Sequence, residues 1–486
     1  MASVDADEEE LPPSTRSRTC AALSTGVAGM ILGRQDPRHI AAATIARGMD
    51  ITDQAVEHDV VRRPRDRKDV IARNAAALFA ADGFNAVRMG DIAAATGITA
   101  GALYRHFRNK QELLSEIVNT SQWRYLHALE QAETAARASA SRSDEKRALL
   151  RGLAAASLDS GHFAVLWQRE SRYLTDDDRA GLRARLRSMA ERVVRQLDIH
   201  GAGAESTGWI LIAVLSSPGH HVQSLPRLRL ERLLVNACYS VLGSAPAAFD
   251  ADRVEDARRA HGDRAEPAGS PLLSRREQLL EAAARQFQRL GYSAVGINDI
   301  AAEAGMAGPA IYRHFGAKAE ILVALVERFH EWNVYEARHA LRAAASEDPE
   351  GQLRRLVHAY VTVALAHPDL VAVVVTEWLD LPDPDRDRLQ RLRNDLVAEW
   401  HERLLCCRRD LDRQEAMLLV RTAMVAVEDT VRIPHLLTAN GPALSRQLEA
   451  VATSILLRTP TTFEDDRTTT DEHSGDTPSP APTGRS

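Results

Sequence analysis

Two clusters of side chains in this sequence carry the donors for recognition chemistry. They are Tyr104, Arg105 and His106 with Lys110, and Tyr312, Arg313 and His314 with Lys318. Each follows a pair of small residues, Ala100-Gly101 after Thr99 in the first and Gly308-Pro309 in the second. Hydroxyl, guanidinium, imidazole and ammonium groups can donate to phosphate oxygens, the contacts that set register on a duplex without reading its bases. Small residues just before them let a backbone come close to base edges in a groove. Signatures of bond-making chemistry are missing. The sequence has no P-loop, no Gly-x-Ser-x-Gly, no His-Glu-x-x-His and no glycine fingerprint after a strand. The reading is therefore not an enzyme, with no cofactor. His220-His221 could suggest a metal, but neighbours on a helix point roughly 100° apart, so the pair is a poor site and no metal is expected.

The elements that must position these donors occur twice. A shift of 208 residues places Asp91 on Asp299, Gly97 on Gly305, Tyr104 on Tyr312 and Lys110 on Lys318. Across residues 79–118 and 287–326, 18 of 40 positions are identical, so the chain contains an internal repeat. Each copy has helix-turn-helix spacing. Met89, Ile92 and Ala93 give a short helix one apolar face; Gly97 can adopt φ > 0 at its end, and Ile98 closes the corner. A second helix, expected over Thr99 to Phe107, turns Leu103 and Phe107 inward and leaves Thr99, Ala100, Tyr104 and Arg105 outward. Nine residues make a rod of roughly 13 Å, a fit for the DNA major groove.

The pattern Asp-Ile-Ala-x-x-x-Gly, then Tyr-Arg-His-Phe-x-x-Lys-x-Glu, resembles the DNA-binding domain of the TetR-type repressors. The likeness covers about 60 residues per copy, and the duplication resembles the double-headed actinobacterial members. The resemblance implies an all-α protein of two tandem units, each a three-helix head on a helical body that binds a small molecule and forms the dimer. Both copies depart from the pattern at the cap of the second head helix, where the family has Ser or Thr. Arg88 stands there in the first head and Gly296 in the second. Arg88 cannot cap but can grip a phosphate, whereas Gly296 brings no side chain, so the second head is expected to bind DNA more weakly.

The net charge of −6 hides a local cluster of Arg62, Arg63, Arg65, Arg67, Lys68 and Arg73 at the start of the first head. Seven segments are expected. Residues 1–62 form a largely disordered extension, 63–124 the first head, 125–250 the first body and 251–270 a charged linker. Residues 271–332 form the second head, 333–458 the second body and 459–486 a disordered tail rich in Thr and Pro. A body helix is expected over His162–Leu174. No signal peptide or span of transmembrane length is present, so a cytoplasmic location away from membranes is expected.

For an effector, Trp167, Tyr173, Trp209 and Trp378 are candidates to line apolar cavities, with Arg421 and Glu428 to meet a polar group. A hydrophobic effector is what the resemblance implies. The repeat aligns His220-His221 with Glu428-Asp429, suggesting that the two bodies pack together with His opposite acid. The expected function is a sequence-specific transcriptional regulator on double-stranded operator DNA, a repressor relieved by a small molecule, working as an intramolecular pseudo-dimer. The alternatives are a homodimer presenting four heads and a ligand-binding or scaffolding protein with degenerate heads.

Overall fold

A computed structural model describes residues 64–138, 141–160, 165–220, 225–244 and 274–458. The expectations for the extension, the linker, the tail and His221 lie outside the described residues, as does the side chain of His220. Among the described residues all regular structure is helical.

The first unit runs α1 (Pro64–Asp82), α2 (Met89–Thr96), α3 (Ala100–Tyr104), α4 (Lys110–Arg137), α5 (Arg142–Asp159), α6 (Asp176–Gln196), α7 (Ala204–Ser216) and α8 (Arg227–Ser244). The second runs α9 (Arg275–Leu290), α10 (Ile297–Glu303), a 3₁₀ turn at Gly308–Arg313, α11 (Lys318–Ala343), α12 (Pro349–Ala366) and α13 (Pro368–Thr376). It ends with α14 (Asp383–Cys407), α15 (Arg413–Val431) and α16 (Pro434–Leu457).

Spacing explains the heads. Ile71, Ala75 and Phe79 recur every four residues along α1 and are fully buried. Leu279, Ala283 and Phe287 do the same along α9, which starts from Ser274, its hydroxyl accepting the Glu277 N–H at 3.2 Å. The helix expected over His162–Leu174 is not regular. Its described part is a π-helical turn at Leu166–Glu170 followed by a 3₁₀ turn at Ser171–Tyr173. The irregular stretch faces the heads: Arg169 Nη2 donates to the carbonyls of Phe79 and Ala80 at 2.8 Å each, satisfying the open end of α1.

The two bodies pack together within the one chain. α7 lies against α15 and α8 against α16, giving a four-helix layer continuous with both cores. Ile210, Leu211 and Val214 of α7 are buried, as are Val420, Ala423 and Val427 of α15. Removing such faces from water is the main favourable term. Polar pairs fix the register. Ser206 Oγ donates to Gln447 Oε1 at 2.6 Å, and Gln447 Nε2 donates to Thr207 Oγ1 at 2.8 Å. Ser217 and Thr422 hydroxyls meet at 3.0 Å, and at the rim Arg229 donates to Asp412 at 2.9 Å. A buried amide without such partners would cost about 1–3 kcal/mol, so these groups penalise other alignments.

Candidate nucleic-acid interface

In the first head, α2 ends as the sequence suggests. Gly97 is left-handed at φ 67°, and the Ile98 N–H returns to the Ala93 carbonyl at 3.0 Å. Gly305 repeats this at φ 64°, with Met306 N–H on Ala301 at 2.8 Å. The cap position works in a way the residue type at 88 conceals. The Arg88 and Gly296 backbone N–H groups donate to Asp91 and Asp299 at 2.8 Å each. The third-position acid thus supplies the reciprocal half of a capping box in both heads and leaves the Arg88 side chain uncommitted to capping. Arg88 is exposed.

The recognition segments are shorter than the nine residues expected, and they differ. α3 covers five residues, Ala100–Tyr104, with the Thr99 hydroxyl accepting the Ala102 N–H at 3.2 Å. The second head instead forms the 3₁₀ turn, in which the Ala310 N–H bonds Ala307 at 2.8 Å. Ala307 has no hydroxyl to cap with, and Pro309 has no N–H to donate, so the tighter i→i+3 pattern is what remains. Leu103, Phe107, Ile311 and Phe315 are buried on the inner side. Thr99, Ala100, Gly101 and Arg105 are exposed in the first head, and Pro309 and Arg313 in the second. Gly308, His106 and His314 are half-buried. Tyr104 and Tyr312 are 53% and 56% exposed, large rings left in solvent at matching positions.

Lys110 and Lys318 depart from the sequence expectation of a phosphate contact. The Lys110 ammonium meets the carbonyls of Phe84 and, at 2.8 Å, Val87, and it lies 4.3 Å from the Phe84 ring centre. Lys318 donates to Tyr292 and Val295 at 2.7 and 2.8 Å and lies 4.2 Å from the Tyr292 ring centre. Each lysine ties the loop after the first head helix to the start of the long helix, and burial pushes its pKa down. Lys68 is likewise engaged, with Glu116 at 3.2 Å and over the Phe107 ring.

A junction between the heads carries residues that sequence reading missed. Asn85 Nδ2 donates to Ser293 Oγ of the second head at 2.9 Å and to the Tyr173 hydroxyl at 2.6 Å. Asn85 and Ser293 occupy equivalent repeat positions, as expected of residues beside a pseudo-twofold axis. Arg172 pairs with Glu377, which is almost wholly buried and also accepts the Tyr292 N–H at 3.3 Å. Arg172 additionally donates to the Thr376 carbonyl at 3.3 Å. The ion pair therefore spans first body, second body and second head. Gly291 makes room for it: φ is 82°, and a Cβ there would lie 2.8 Å from Arg172 Cδ.

The effector candidates fall in four places rather than one. Trp167 lines an apolar cavity of the first body with Tyr125, Leu153, Leu186, Met189 and Ile212. Its free interior is about 20 Å³, close to one water-sized sphere, so a larger guest must push side chains apart. Trp209 instead lines an open groove with Arg187, Glu191, Arg195 and Glu205. Tyr173 lies in the junction, its ring stacked on Phe84 with centres 4.8 Å apart. Trp378, Arg421 and Glu428 belong to the second body, where Glu428 accepts the Tyr360 hydroxyl at 2.6 Å. Glu428 is thereby engaged within its own body. Asp429 is the acid that faces the first body, accepting from Gln168 Nε2 at 2.5 Å. Among the described residues no group of three metal-binding side chains occurs.

Paired helix-turn-helix heads on packed helical bodies define a class, the helical DNA-binding regulators. Residues 71–117 and 279–325 both match the family described as bacterial regulatory proteins, tetR family, and residues 346–458 match the tetracyclin repressor-like C-terminal domain. The chain thus carries two tetR-family DNA-binding domains in tandem, the second followed by a tetracyclin repressor-like C-terminal domain. It is 39% identical over 90 residues to the HTH-type transcriptional activator FasR of Mycolicibacterium smegmatis, covering 18% of this chain and 40% of that protein. It is 41% identical over 85 residues to the HTH-type transcriptional regulator TtgR of Pseudomonas putida, covering 17% and 39%. The chain thus spans about 40% of the length of these relatives. A solved TetR-family transcriptional regulator from Bordetella parapertussis 12822 is 23% identical, covers 36% of this chain and 93% of its own, and gives a TM-score of 0.34. No single described helix is long and apolar enough to cross a membrane.

Proposed function

We propose that this chain is a transcriptional repressor that binds operator DNA as a pseudo-dimer, one chain presenting both heads, and that a small molecule in its bodies releases it. The observation that carries the reading is the four-helix layer of α7, α8, α15 and α16, which joins two bodies of one chain. The exposed faces at Thr99–Arg105 and Pro309–Arg313 would then read two half-sites about one helical turn of DNA apart, roughly 34–36 Å. Because the faces differ, the half-sites differ too.

Light scattering on the complex with duplex DNA from beside the chain's own gene tests the stoichiometry. One chain per duplex is expected; two chains would replace this reading with the four-headed homodimer. Affinity should fall steeply with salt, as phosphate contacts require. A flat salt response would favour a scaffold with degenerate heads. Release by an effector requires that it bind the DNA-bound state less tightly than the free state.

A further inference from the structure

The π-helical turn at Leu166–Glu170 sends three successive side chains to three parts of the molecule. Trp167 lines the apolar cavity of the first body. Gln168 crosses to Asp429 of the second body at 2.5 Å. Arg169 holds the Phe79 and Ala80 carbonyls at the end of α1, at 2.8 Å each, and so fixes the first head. The Arg169 carbonyl in turn accepts from Arg172 Nε at 3.0 Å. Arg172 pairs with Glu377, which takes the Tyr292 N–H of the second head at 3.3 Å. One turn of chain thus touches the cavity, the body interface and, through Arg172, both heads.

The second unit builds the same stretch differently. Aligning Glu170 with Glu377 matches Trp167, Gln168, Arg169 and Arg172 with Val374, Val375, Thr376 and Leu379. All four connecting side chains are therefore exchanged for short or apolar ones. The stretch is the regular helix α13, followed by a 3₁₀ turn at Trp378–Asp380. Thr376 Oγ1 bonds within its own segment, to the Ala372 carbonyl at 2.9 Å and to Glu377 Oε1 at 2.8 Å. Leu379 lies beside Gly83 of the first head as an apolar side chain. The first unit thus holds both heads by charged arms that start from one turn. A π turn carries one residue more than an α turn, so tightening it re-aims the side chains that follow. The free interior of the cavity is about 20 Å³, so a guest larger than a water must displace its lining. Trp167 is the part of that lining that the π turn carries.

We propose that the π-helical turn Leu166–Glu170 is a single relay through which an apolar guest in the first body's cavity loosens both heads at once, so that one guest per chain releases a two-headed complex. Arg169 and Arg172 are the positioning residues of its two branches. The inference rests on the reading of the chain as an effector-controlled regulator, and it adds that control of both heads comes from the first body. The guest acts by binding the loosened state more tightly than the held one.

The test uses the full chain without DNA. Leu153, fully buried in the cavity wall, is replaced so that the protein carries its own guest: Leu153→Trp overfills the cavity, and Leu153→Phe does so with less volume. Hydrogen exchange reads the two loops, through the amides of Gly83 and Val87 in the first head and of Tyr292 and Val295 in the second. Either overfilled variant should exchange about fivefold or more faster in both loops, with α14 unchanged. Arg172→Met combined with Glu377→Gln severs the branch to the second head without stranding a buried carboxylate. In that background, overfilling should speed the first loop only. Faster exchange in the first loop alone of the otherwise unaltered chain, in neither loop, or in both loops of the severed background overturns the proposal. So does equal quickening of α14, the mark of a merely weakened fold. DNA binding is scored separately, on the duplex from beside the chain's own gene. Looser loops with unchanged DNA affinity count against the regulator reading alone. Weaker DNA binding with unchanged loops counts against the relay alone.

Discussion

The two heads keep the same scaffold and diverge on the surface that would meet DNA. Asp91 and Asp299 cap alike, Gly97 and Gly305 turn alike, and Lys110 and Lys318 clamp alike. Between them, Thr99-Ala100-Gly101 forms a capped α-helical turn, while Ala307-Gly308-Pro309 forms an uncapped 3₁₀ turn. Packing constrains the inner residues of both copies in the same way, whereas nothing inside the molecule obliges the outer residues to agree. The junction shows the same split: Arg172 of the first unit crosses to Glu377, while the matching contact from the second unit is Leu379 beside Gly83.

This asymmetry can be broken where it is strongest. Arg172→Leu makes the junction apolar on both sides but strands the buried Glu377 carboxylate. We expect a loss of about 3–5 kcal/mol in denaturant unfolding, with Glu377→Gln in the same chain restoring part of it. A loss under 1 kcal/mol would mean that the pair is solvated and does not distinguish the units. Asp429 comes next. Its buried carboxyl is raised to about 6 by desolvation, against the pull of Arg432. A raised carboxyl contributes stability that is full below its unfolded pKa near 3.9 and is lost as pH rises through about 6. Asp429→Asn should flatten that slope between pH 4 and 6.5, a change of up to about 3 kcal/mol measured by denaturant midpoints across pH.

Smaller effects sharpen the comparison of the heads. Gly83→Ala and Gly291→Ala both place a Cβ at positive φ, costing about 1–2 kcal/mol. Only Gly291→Ala also collides with Arg172, so it should melt several degrees lower than its counterpart. At the recognition segments, Thr99→Ala removes the hydroxyl cap of α3 and should cost about 1 kcal/mol. DNA carrying only the first half-site should report this as weaker binding. Ala307→Thr should move the second head the other way by less, and equal changes in both would deny the difference in capping.

The sequence made the repeat, the turn glycines and the inward Leu103 and Phe107 readable because local periodicity and φ requirements leave marks at fixed spacing. The clamp made by Lys110 is not legible because a motif records a residue's type but not its direction. Only the fold shows that the loop after α1 presents carbonyls to its ammonium. Arg172 and Glu377 were unreadable for a related reason: they lie 205 residues apart, and the break in the helix before Arg172 has no Pro or Gly to announce it. The contact between units also depends on positions where the copies differ, Arg172 in the first and Leu379 in the second.

If one chain is the working unit, the four-helix layer of α7, α8, α15 and α16 also sets how the molecule answers to its own abundance. An ordinary two-chain regulator must first find its partner, so below its dimerisation constant its active concentration falls as the square of the amount synthesised. In the pseudo-dimer proposed above, the partner surface would be covalently supplied, and both heads would arrive with every translated copy. Operator occupancy would then track gene dosage in direct proportion, down to a few molecules per cell.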